Sequence, residues 1–446
     1  MLSISFRFSQ HNILPRKSMA GAGSAGTGKI RVKFLVDDEK KKVVFAESGK
    51  EFVDVLLSFL TLPLGTIVRS LGKESSLGCF DELYKSVESL DESHFQTKRA
   101  GTCCLGPSAL PGRFARILLS GLTTPNTGIY GFAVSYGALK KTSSRDLEIA
   151  DLTVLEEKTL ELGLEEIKIL LKQTLKSDKP LTDLMFCPSD ESTKTMEPIS
   201  MAVKASSENR SSSDCDFVKV KLLVTKTDQS VVHAEVAEDF CNILYSFLAL
   251  PLGHVIKLLG GSSSISSIDN LYKSVEGKMN GYIKSGKCRD MILSPKLPPF
   301  FSCSNNFLMT DELLPVKGST ACCTPCIRDC SPLDVFDMKC THGETKLLAV
   351  NPKVPTMTTE TGGGYAKAGP SKFLVTNELG MAPLSLINAF VELKRKEQSV
   401  SNLVTTEFTF TQVEVLNLLR VALVSREALT LACSPTKPKR RPHHFH

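Results

Sequence analysis

The fold is decided by residues 32–72, “VKFLVDDEKKKVVFAESGKEFVDVLLSFLTLPLGTIVRSLG”, because the chain repeats them at residues 220–260 as “VKLLVTKTDQSVVHAEVAEDFCNILYSFLALPLGHVIKLLG”. The match continues without a gap to residues 88 and 276, where both copies read “LYKSVE”. Over residues 32–88 the copies are identical at 28 of 57 positions, at a constant offset of 188. Chance does not produce such a match, so the chain contains an internal duplication.

Each copy predicts a β-hairpin followed by helices. Apolar residues alternate with polar ones over residues 31–36, a charged stretch follows, and residues 43–46 are again apolar. This pattern is typical of a hairpin with a five- or six-residue polar connection. Residues 52–60 carry apolar side chains at helical spacing, and Pro63 ends that helix. A second short helix is predicted to end at Gly72.

A third helix and a closing helix complete each copy. The third is predicted to open on Asp81 as its N-cap. The stretch “EEIKILLKQTLKSDKPLTDLMF” from Glu165 resembles “VEVLNLLRVALVSREALTLACS” from Val413, and both begin with an amphipathic helix. We therefore predict an α+β fold, with two tandem copies of a β-hairpin plus helices unit, joined by a flexible linker.

The composition between and around the copies sets the predicted boundaries. The segment between them is rich in Ser and low in apolar residues, as flexible linkers are. The predicted organisation is a disordered leader at 1–28, a first repeat unit at 29–186, a Ser-rich linker at 187–216, a second repeat unit at 217–433 with a cysteine-rich insert at about 300–345, and a basic tail at 434–446.

The leader has no acidic residue before Asp37 and contains Ser and Arg, as organellar transit peptides do. The favoured interpretation is an unstructured extension, with Met1 or Met19 as the start. The 14 cysteines cluster locally and no secretory signal precedes them, which favours a reducing compartment, the cytoplasm or the nucleus. Basic residues of the tail are a candidate nuclear-import patch: Lys437, Lys439, Arg440 and Arg441.

Composition also narrows the class of protein. The 446-residue chain is 42% hydrophobic and 23% charged, which is typical of a globular protein rather than a disordered one. A formal net charge of +6 is mild for this length and does not indicate nucleic acid as a partner. The apolar run at residues 52–68 contains Asp54 and Pro63 and is too short to span a bilayer, so no membrane segment is predicted.

A partial phosphate-binding loop, “GSAGTGK”, runs from Gly23 to Lys29. A functional loop of this kind follows a strand and opens a helix, whose amides help to hold the phosphates. Here the stretch precedes the hairpin strand, and Ile30 replaces the hydroxyl residue that magnesium needs. We therefore expect no nucleotide at this position.

The repeated residues “KFLVDDEKKKVVFAESGKEFVDVLLSFLTLPLGTIV” and “LYKSVE” closely resemble the plant-specific domain-of-unknown-function family 674. The resemblance covers the N-terminal half of both units and, less strongly, their closing helices. It implies tandem copies of this unit, and it brings no activity, cofactor or catalytic residue to carry over. The chain departs from the family pattern at residues 98–146, where the expected cysteine-containing segment offers only Cys103 and Cys104.

The cysteine-rich insert holds the candidate metal site. Cys323 and Cys326 form a close pair, and Cys340 and His342 follow fourteen residues later, with Cys330 as an alternative ligand. Thiolates and imidazole are the ligands that Zn²⁺ prefers, and such a zinc would be structural rather than catalytic. The alternative is a loop of reduced, partly buried thiols, so no cofactor is certain.

Charged and aromatic residues shared by both copies could line a groove: Glu47 and Glu235, Tyr84 and Tyr272, and Lys85 and Lys273. The favoured interpretation is helix capping and solvent-facing charge beside a packed tyrosine ring. His233 and His254 face Phe45 and Thr66 in the other copy, so the shared fold does not require them. We expect both histidines to be surface or partly buried side chains.

No catalytic constellation recurs in the two copies. The leading hypothesis is a non-enzymatic interaction protein in which each unit offers a similar surface to an unknown protein partner. One alternative is a small-molecule enzyme with a site between the units, which predicts a deep pocket with convergent ionisable groups of shifted pKa. The other is a zinc-stabilised nucleic-acid-binding protein that uses the basic tail.

Overall fold

A computed structural model describes residues 29–105, 155–187, 217–279, 283, 285–297, 301–303, 307–308, 310–312, 353 and 363–434. The leader at 1–28, the linker beyond residue 187, the cysteine-rich positions from residue 313 to 345 and the tail beyond residue 434 lie outside these residues.

The first repeat contains three strands and six helices within the described residues. In chain order they are β1 (Ile30–Asp37), β2 (Lys42–Ser48), α1 (Lys50–Phe59), α2 (Leu64–Ser70), α3 (Phe80–Ser89), a 3-10 turn (Glu92–His94), α4 (Lys98–Cys104), β3 (Leu155–Leu162), α5 (Leu164–Lys176) and α6 (Pro180–Phe186).

The second repeat follows the same order, and before its last strand it has two strands and a helix that have no counterpart in the described part of the first repeat. Its elements are β4 (Val218–Thr225), β5 (Val231–Val236), α7 (Glu238–Ala249), α8 (Leu252–Leu258), α9 (Ser266–Lys273), a π turn (Ser274–Lys278), α10 (Gly286–Leu293), β6 (Phe373–Thr376), β7 (Met381–Pro383), α11 (Leu386–Arg395), a 3-10 turn (Val400–Asn402), β8 (Leu403–Phe410), α12 (Gln412–Val424) and α13 (Ala428–Cys433).

Each repeat is built on an antiparallel sheet, and the predicted α+β class is confirmed. The strand order is β2-β1-β3 in the first sheet and β7-β6-β5-β4-β8 in the second. The predicted alternation holds, because Val32, Phe34 and Val36 are fully buried on one face of β1. Residues 38–41 connect β1 to β2, a connection slightly shorter than expected. The third strands, β3 and β8, were not predicted.

The two repeats contact each other reciprocally around Pro63 and Pro251, which are equivalent residues. The Leu64 amide donates to the Leu250 carbonyl at 2.9 Å, and the Leu252 amide donates to the Leu62 carbonyl, also at 2.9 Å. Such mutual pairing of equivalent groups is the signature of two-fold symmetry between the repeats. The buried apolar side chains of both repeats consequently form one contiguous core.

Each closing helix meets the other repeat. At the end of α12, the Ala422 carbonyl accepts from the Cys79 amide at 2.9 Å, and the Ser425 carbonyl accepts from the Cys79 thiol at 3.0 Å. Reciprocally, the Ser267 hydroxyl of α9 donates to the Ser177 carbonyl after α5 at 2.5 Å. The start of α3 or α9 therefore packs on the closing helix of the opposite repeat.

Close backbone contact leaves no room for a side chain at Gly253. The Gly253 amide donates to the Leu60 carbonyl at 2.6 Å. A Cβ at position 253 would lie 2.5 Å from the Ile292 carbonyl oxygen and 3.0 Å from that of Leu60. A side chain larger than hydrogen would therefore collide with the backbone of its own repeat at Ile292 and crowd the backbone of the other repeat at Leu60.

The predicted N-cap role of Asp81 is wrong. Helix α3 begins at Phe80 after Cys79, which makes no side-chain cap. The Asp81 carboxylate instead accepts hydrogen bonds from the Ser75 amide and hydroxyl, at 3.0 and 2.6 Å, and from the Ser76 amide at 3.2 Å. It holds the loop before the helix, because a short acidic side chain satisfies turn amides as readily as helix amides.

Candidate interaction site

Helix α11 presents its apolar face to solvent. Leu386, Ile387, Phe390 and Val391 are 79%, 75%, 62% and 61% exposed. At spacings of one, four and five residues, these side chains lie together along one stripe of the helix. The helix is amphipathic, but its apolar stripe faces solvent instead of the core.

Local sequence explains why α11 forms where it does. Ser385 caps its start, since the Ser385 hydroxyl accepts from the Asn388 amide at 3.1 Å. The Asn388 side-chain amide donates to the Pro383 carbonyl at 2.8 Å, which ties the first turn to the end of β7. A capped start with a short connection fixes the direction of the helix relative to the sheet.

A charged network holds the other face of α11 against the sheet. Glu392 is only 5% exposed, and its carboxylate accepts from Nε and Nη2 of Arg395 at 2.9 and 2.7 Å. Arg395 Nη1 also donates to Glu378, in the β6–β7 turn, at 3.1 Å, and the Lys396 ammonium lies 3.6 Å from the same carboxylate. Two-pronged pairing of this kind is directional as well as strong, so it fixes which face of α11 points inward.

His233 on β5 lies in the field of this network. It is 3% exposed, and burial lowers its pKa, although the charges of Glu235 and Glu392 partly oppose that shift. The imidazole is therefore neutral at pH 7. The expectation of a surface or partly buried histidine is wrong for His233, and also for His254, which is 7% exposed.

The outward face is large enough to bind a partner. Four apolar side chains at these exposures present roughly 500 Å² of contiguous apolar surface, a size at which a patch on a monomer is often functional. Contact between apolar surface and water is unfavourable in free energy, so covering this surface with a partner is favourable. Helix α11 follows strands β6 and β7, which have no counterpart in the described part of the first repeat. Within the described residues, this surface is therefore a feature of the second repeat alone.

A second feature is a polar cleft of about 380 Å³ at the junction of the repeats. Its walls carry charges of both signs, including Glu82, Lys172, Glu378 and Arg426, and Cys79 is also among its lining residues. Burial raises the pKa of the Cys79 thiol to about 12, so the group stays protonated at neutral pH and is a poor nucleophile. The cleft can hold a small polar molecule, but its thiol does not fit covalent catalysis.

A comparison with known families places the chain. The model of the family described as “Protein of unknown function (DUF674)” matches residues 26–116 and 135–412, well over half of the sequence. The chain belongs to this family. No curated protein and no solved structure matches it. The family description carries no activity, so the function of this DUF674 chain must be argued from its surfaces.

The zinc site predicted for this DUF674 chain lies outside the described residues. This applies to Cys323, Cys326, Cys330, Cys340 and His342 alike, so their zinc site stays a prediction. Among the residues that the structure does describe, no group of three or more His, Cys, Asp or Glu side chains could hold a metal ion.

The shared tyrosines and lysines take the positions that the simpler interpretation predicts, but the predicted helix capping is not seen, because no side chain caps the start of α1 or α7. The rings of Tyr84 and Tyr272 are buried, and Lys85 and Lys273 are exposed beside them. Glu47 lies on β2 opposite Lys33, on the outer face of the sheet. Lys85 lines the polar cleft at the junction of the repeats, but none of the other shared residues named here lies among the walls of that cleft. In the part of the chain that is described, no helix has the length and apolar character needed to cross a membrane.

Proposed function

We propose that the protein is a non-enzymatic interaction protein, and that a partner protein docks on the outward face of α11. The observation that carries this proposal is the orientation of the helix, whose polar Glu392 is buried while four large apolar side chains are exposed. A single exposed leucine is ordinary, but an organised apolar stripe is not. Helices of this kind bind through residues spaced three or four apart, which enter an apolar groove of the partner.

The charges of α11 favour a protein partner over a lipid surface. Membrane-surface helices use Lys and Arg on the polar face to contact anionic headgroups. Here Arg395 and Lys396 are drawn to Glu378, and Arg395 also to Glu392. With ten residues, α11 extends about 15 Å, which suits a groove in a partner protein better than a stable hold on a bilayer.

The enzyme alternative is supported less well. It predicts a pocket with ionisable groups tuned for catalysis near neutral pH. The cleft does lie between the repeats, as that hypothesis expected. However, burial raises the pKa of the Cys79 thiol, which makes it less reactive as a nucleophile. The cleft therefore supports binding more than chemistry.

The test places a photo-cross-linking residue at position 390 of the full chain, in extract of the native cells, and the same residue at position 413 as control. Val413 on α12 is 52% exposed, so it reports non-specific contact with an apolar position. A protein that cross-links at 390 alone is then purified, and its affinity is measured by calorimetry.

The affinity step compares the native chain with the double variant Ile387→Ser and Phe390→Ser, and with Val413→Ser. Burying each of the two side chains contributes about 1.5 kcal/mol or more, so the double variant should bind at least about 100-fold more weakly. The Val413→Ser variant should bind normally. Equal affinity of the double variant, or loss only of binding to anionic vesicles or of self-association, would refute protein docking on α11.

A further inference from the structure

The polar cleft at the junction of the repeats contains charged side chains that the protein itself does not pair. All residues that line it belong to the described part of the chain. Some of its charged residues are engaged within the protein: Lys73, Asp81, Lys172 and Glu378. Two acidic and two basic side chains of its walls form neither a hydrogen bond nor an ion pair within the described residues: Glu74, Glu82, Lys85 and Arg426.

The other junction of the repeats shows that the fold does not require these charges. The contact between the start of α9 and the end of α5 mirrors the one between the start of α3 and the end of α12. At that other junction, however, Asn270 takes the place of Glu82, and Asp178 takes the place of Arg426. Since the same contact forms with either set of side chains, packing does not explain the charges of the cleft, and a ligand does.

Two of the unpaired side chains come from different repeats but lie near the same point. Glu82 belongs to α3, and Arg426 to the connection between α12 and α13. The charges of both act on the pKa of the Cys79 thiol, so both lie close to it. Opposite charges that line one cleft without meeting can each be paired by a ligand that carries both signs.

We propose that this cleft binds a free α-amino acid, whose carboxylate pairs with Arg426 and whose ammonium group pairs with Glu82. A guanidinium binds a carboxylate through two parallel hydrogen bonds, and an ammonium group donates to a carboxylate in a bond of similar strength. This site is separate from the outward face of α11, so either proposal can fail without the other.

The lining residues define the class of ligand. An anion alone would face Glu82 unpaired, and a cation alone would face Arg426 unpaired. Quaternary ammonium groups are recognised by aromatic faces, and no aromatic side chain is among the described residues that line the cleft, so a primary ammonium group fits better. Its volume of about 380 Å³ suits a small molecule. Because its lining is almost entirely polar, the amino acid should have a small or polar side chain.

The experiment titrates the full chain with each L-amino acid in turn, by isothermal calorimetry. We expect saturable binding of at least one amino acid with a small or polar side chain. Two analogues of that amino acid are then compared, the amine that lacks the carboxylate and the acid that lacks the ammonium group. Each should bind at least tenfold more weakly, because each leaves one charge of the cleft without its partner.

The other junction supplies variants that are compatible with the fold. Arg426→Asp copies Asp178, and Glu82→Asn copies Asn270. Each should weaken binding of the amino acid at least tenfold. Lys273→Ala, which removes an exposed charge from α9 outside the cleft, is the control and should bind normally. Urea unfolding of the three variants verifies that they are folded.

Three results would overturn the proposal. They are the absence of saturable binding by every amino acid, equal binding of the amino acid and of an analogue that lacks one charge, and native affinity of folded Arg426→Asp or Glu82→Asn. The analogues are titrated into the native chain, so they decide the matter even where a variant does not fold.

Discussion

Replacing Gly78 with alanine would test the contact that joins the repeats. Gly78 has a φ of +43°, and a Cβ there would lie 2.2 Å from the Ala422 carbonyl oxygen and 2.9 Å from that of Ser425. Both atoms are backbone of the opposite repeat, so no side-chain rotation can relieve the clash. Gly72 provides a matched control, because its φ is +68° but its Cβ would meet nothing within 4 Å.

The magnitude follows from comparing the two positions. Alanine in the left-handed region should cost about 1 kcal/mol at either site. At position 78 the start of α3 must also move away from α12, which breaks the hydrogen bond from the Cys79 amide and contributes about 1 kcal/mol more. Loosening Leu77 and Phe80, both fully buried, should add about 1–2 kcal/mol. We expect a loss of about 3–4 kcal/mol for Gly78→Ala and about 1 kcal/mol for Gly72→Ala.

The assay is urea unfolding of the native chain and both variants, with the free energy of unfolding extrapolated to water. The difference between the two variants isolates the contact with the opposite repeat, since the backbone penalty is common to both. If Gly78→Ala and Gly72→Ala lose the same free energy within about 0.5 kcal/mol, α3 does not pack on α12 in solution, and the reciprocal arrangement is refuted.

The repeats also supply conservative variants for two buried ionisable groups. Burial raises the pKa of Asp54 to about 6, above the 3.8 of an ordinary Asp, so stability is lost as the pH rises from 3.8 through about 6. The variant Asp54→Asn copies Asn242 of the second repeat. In urea unfolding, its free energy of unfolding should rise by up to about 3 kcal/mol relative to the native chain between about pH 4 and pH 7.5. A difference that does not depend on pH would contradict this. Burial, aided by a nearby lysine, lowers the pKa of His254 to about 4, below the ordinary 6.5, so stability is lost as the pH falls from 6.5 towards 4. The variant His254→Thr copies Thr66 of the first repeat, and over that pH range it should lose up to about 3 kcal/mol less free energy of unfolding than the native chain. Parallel pH profiles of the two proteins would show that His254 is not buried.

The duplication made the core of the fold predictable. Phe52, Leu56 and Phe59 recur as Phe240, Leu244 and Phe247 at helical spacing, and the helices form with these residues buried. Strands β3 and β8 escaped prediction because each lies at a sheet edge, where most side chains face solvent. Their sequences, “LEEKTLEL” and “LVTTEFTF”, consequently lack a clear apolar face.

The contact between the repeats could not be predicted from the sequence. The motif “LPLG” recurs, but its backbone makes the contact, through the amides and carbonyls on either side of Pro63 and Pro251. Side-chain patterns do not show which backbone groups of two helices will meet.

The candidate interaction site was also beyond sequence reasoning. Strands β6 and β7 and helix α11 lie outside the aligned duplication, so no equivalent stretch of the first copy could support their prediction. Periodicity alone predicts that the apolar stripe of a helix faces the core. Here the buried position belongs to Glu392, whose charge is balanced by Arg395 three residues later. That local pair is visible in the sequence, but its contact with Glu378 in the β6–β7 turn, which helps to hold it against the sheet, is not.

The reciprocal contact has a consequence for how such a chain can diversify. When two identical molecules associate, every substitution appears on both of them at once. In a continuous polypeptide it appears a single time, while tethering keeps the halves together at high local concentration even if one of them changes. One half can therefore acquire an exposed apolar helix, as the second repeat has in α11, without the same change being forced on the other half, which is not open to an assembly of identical copies.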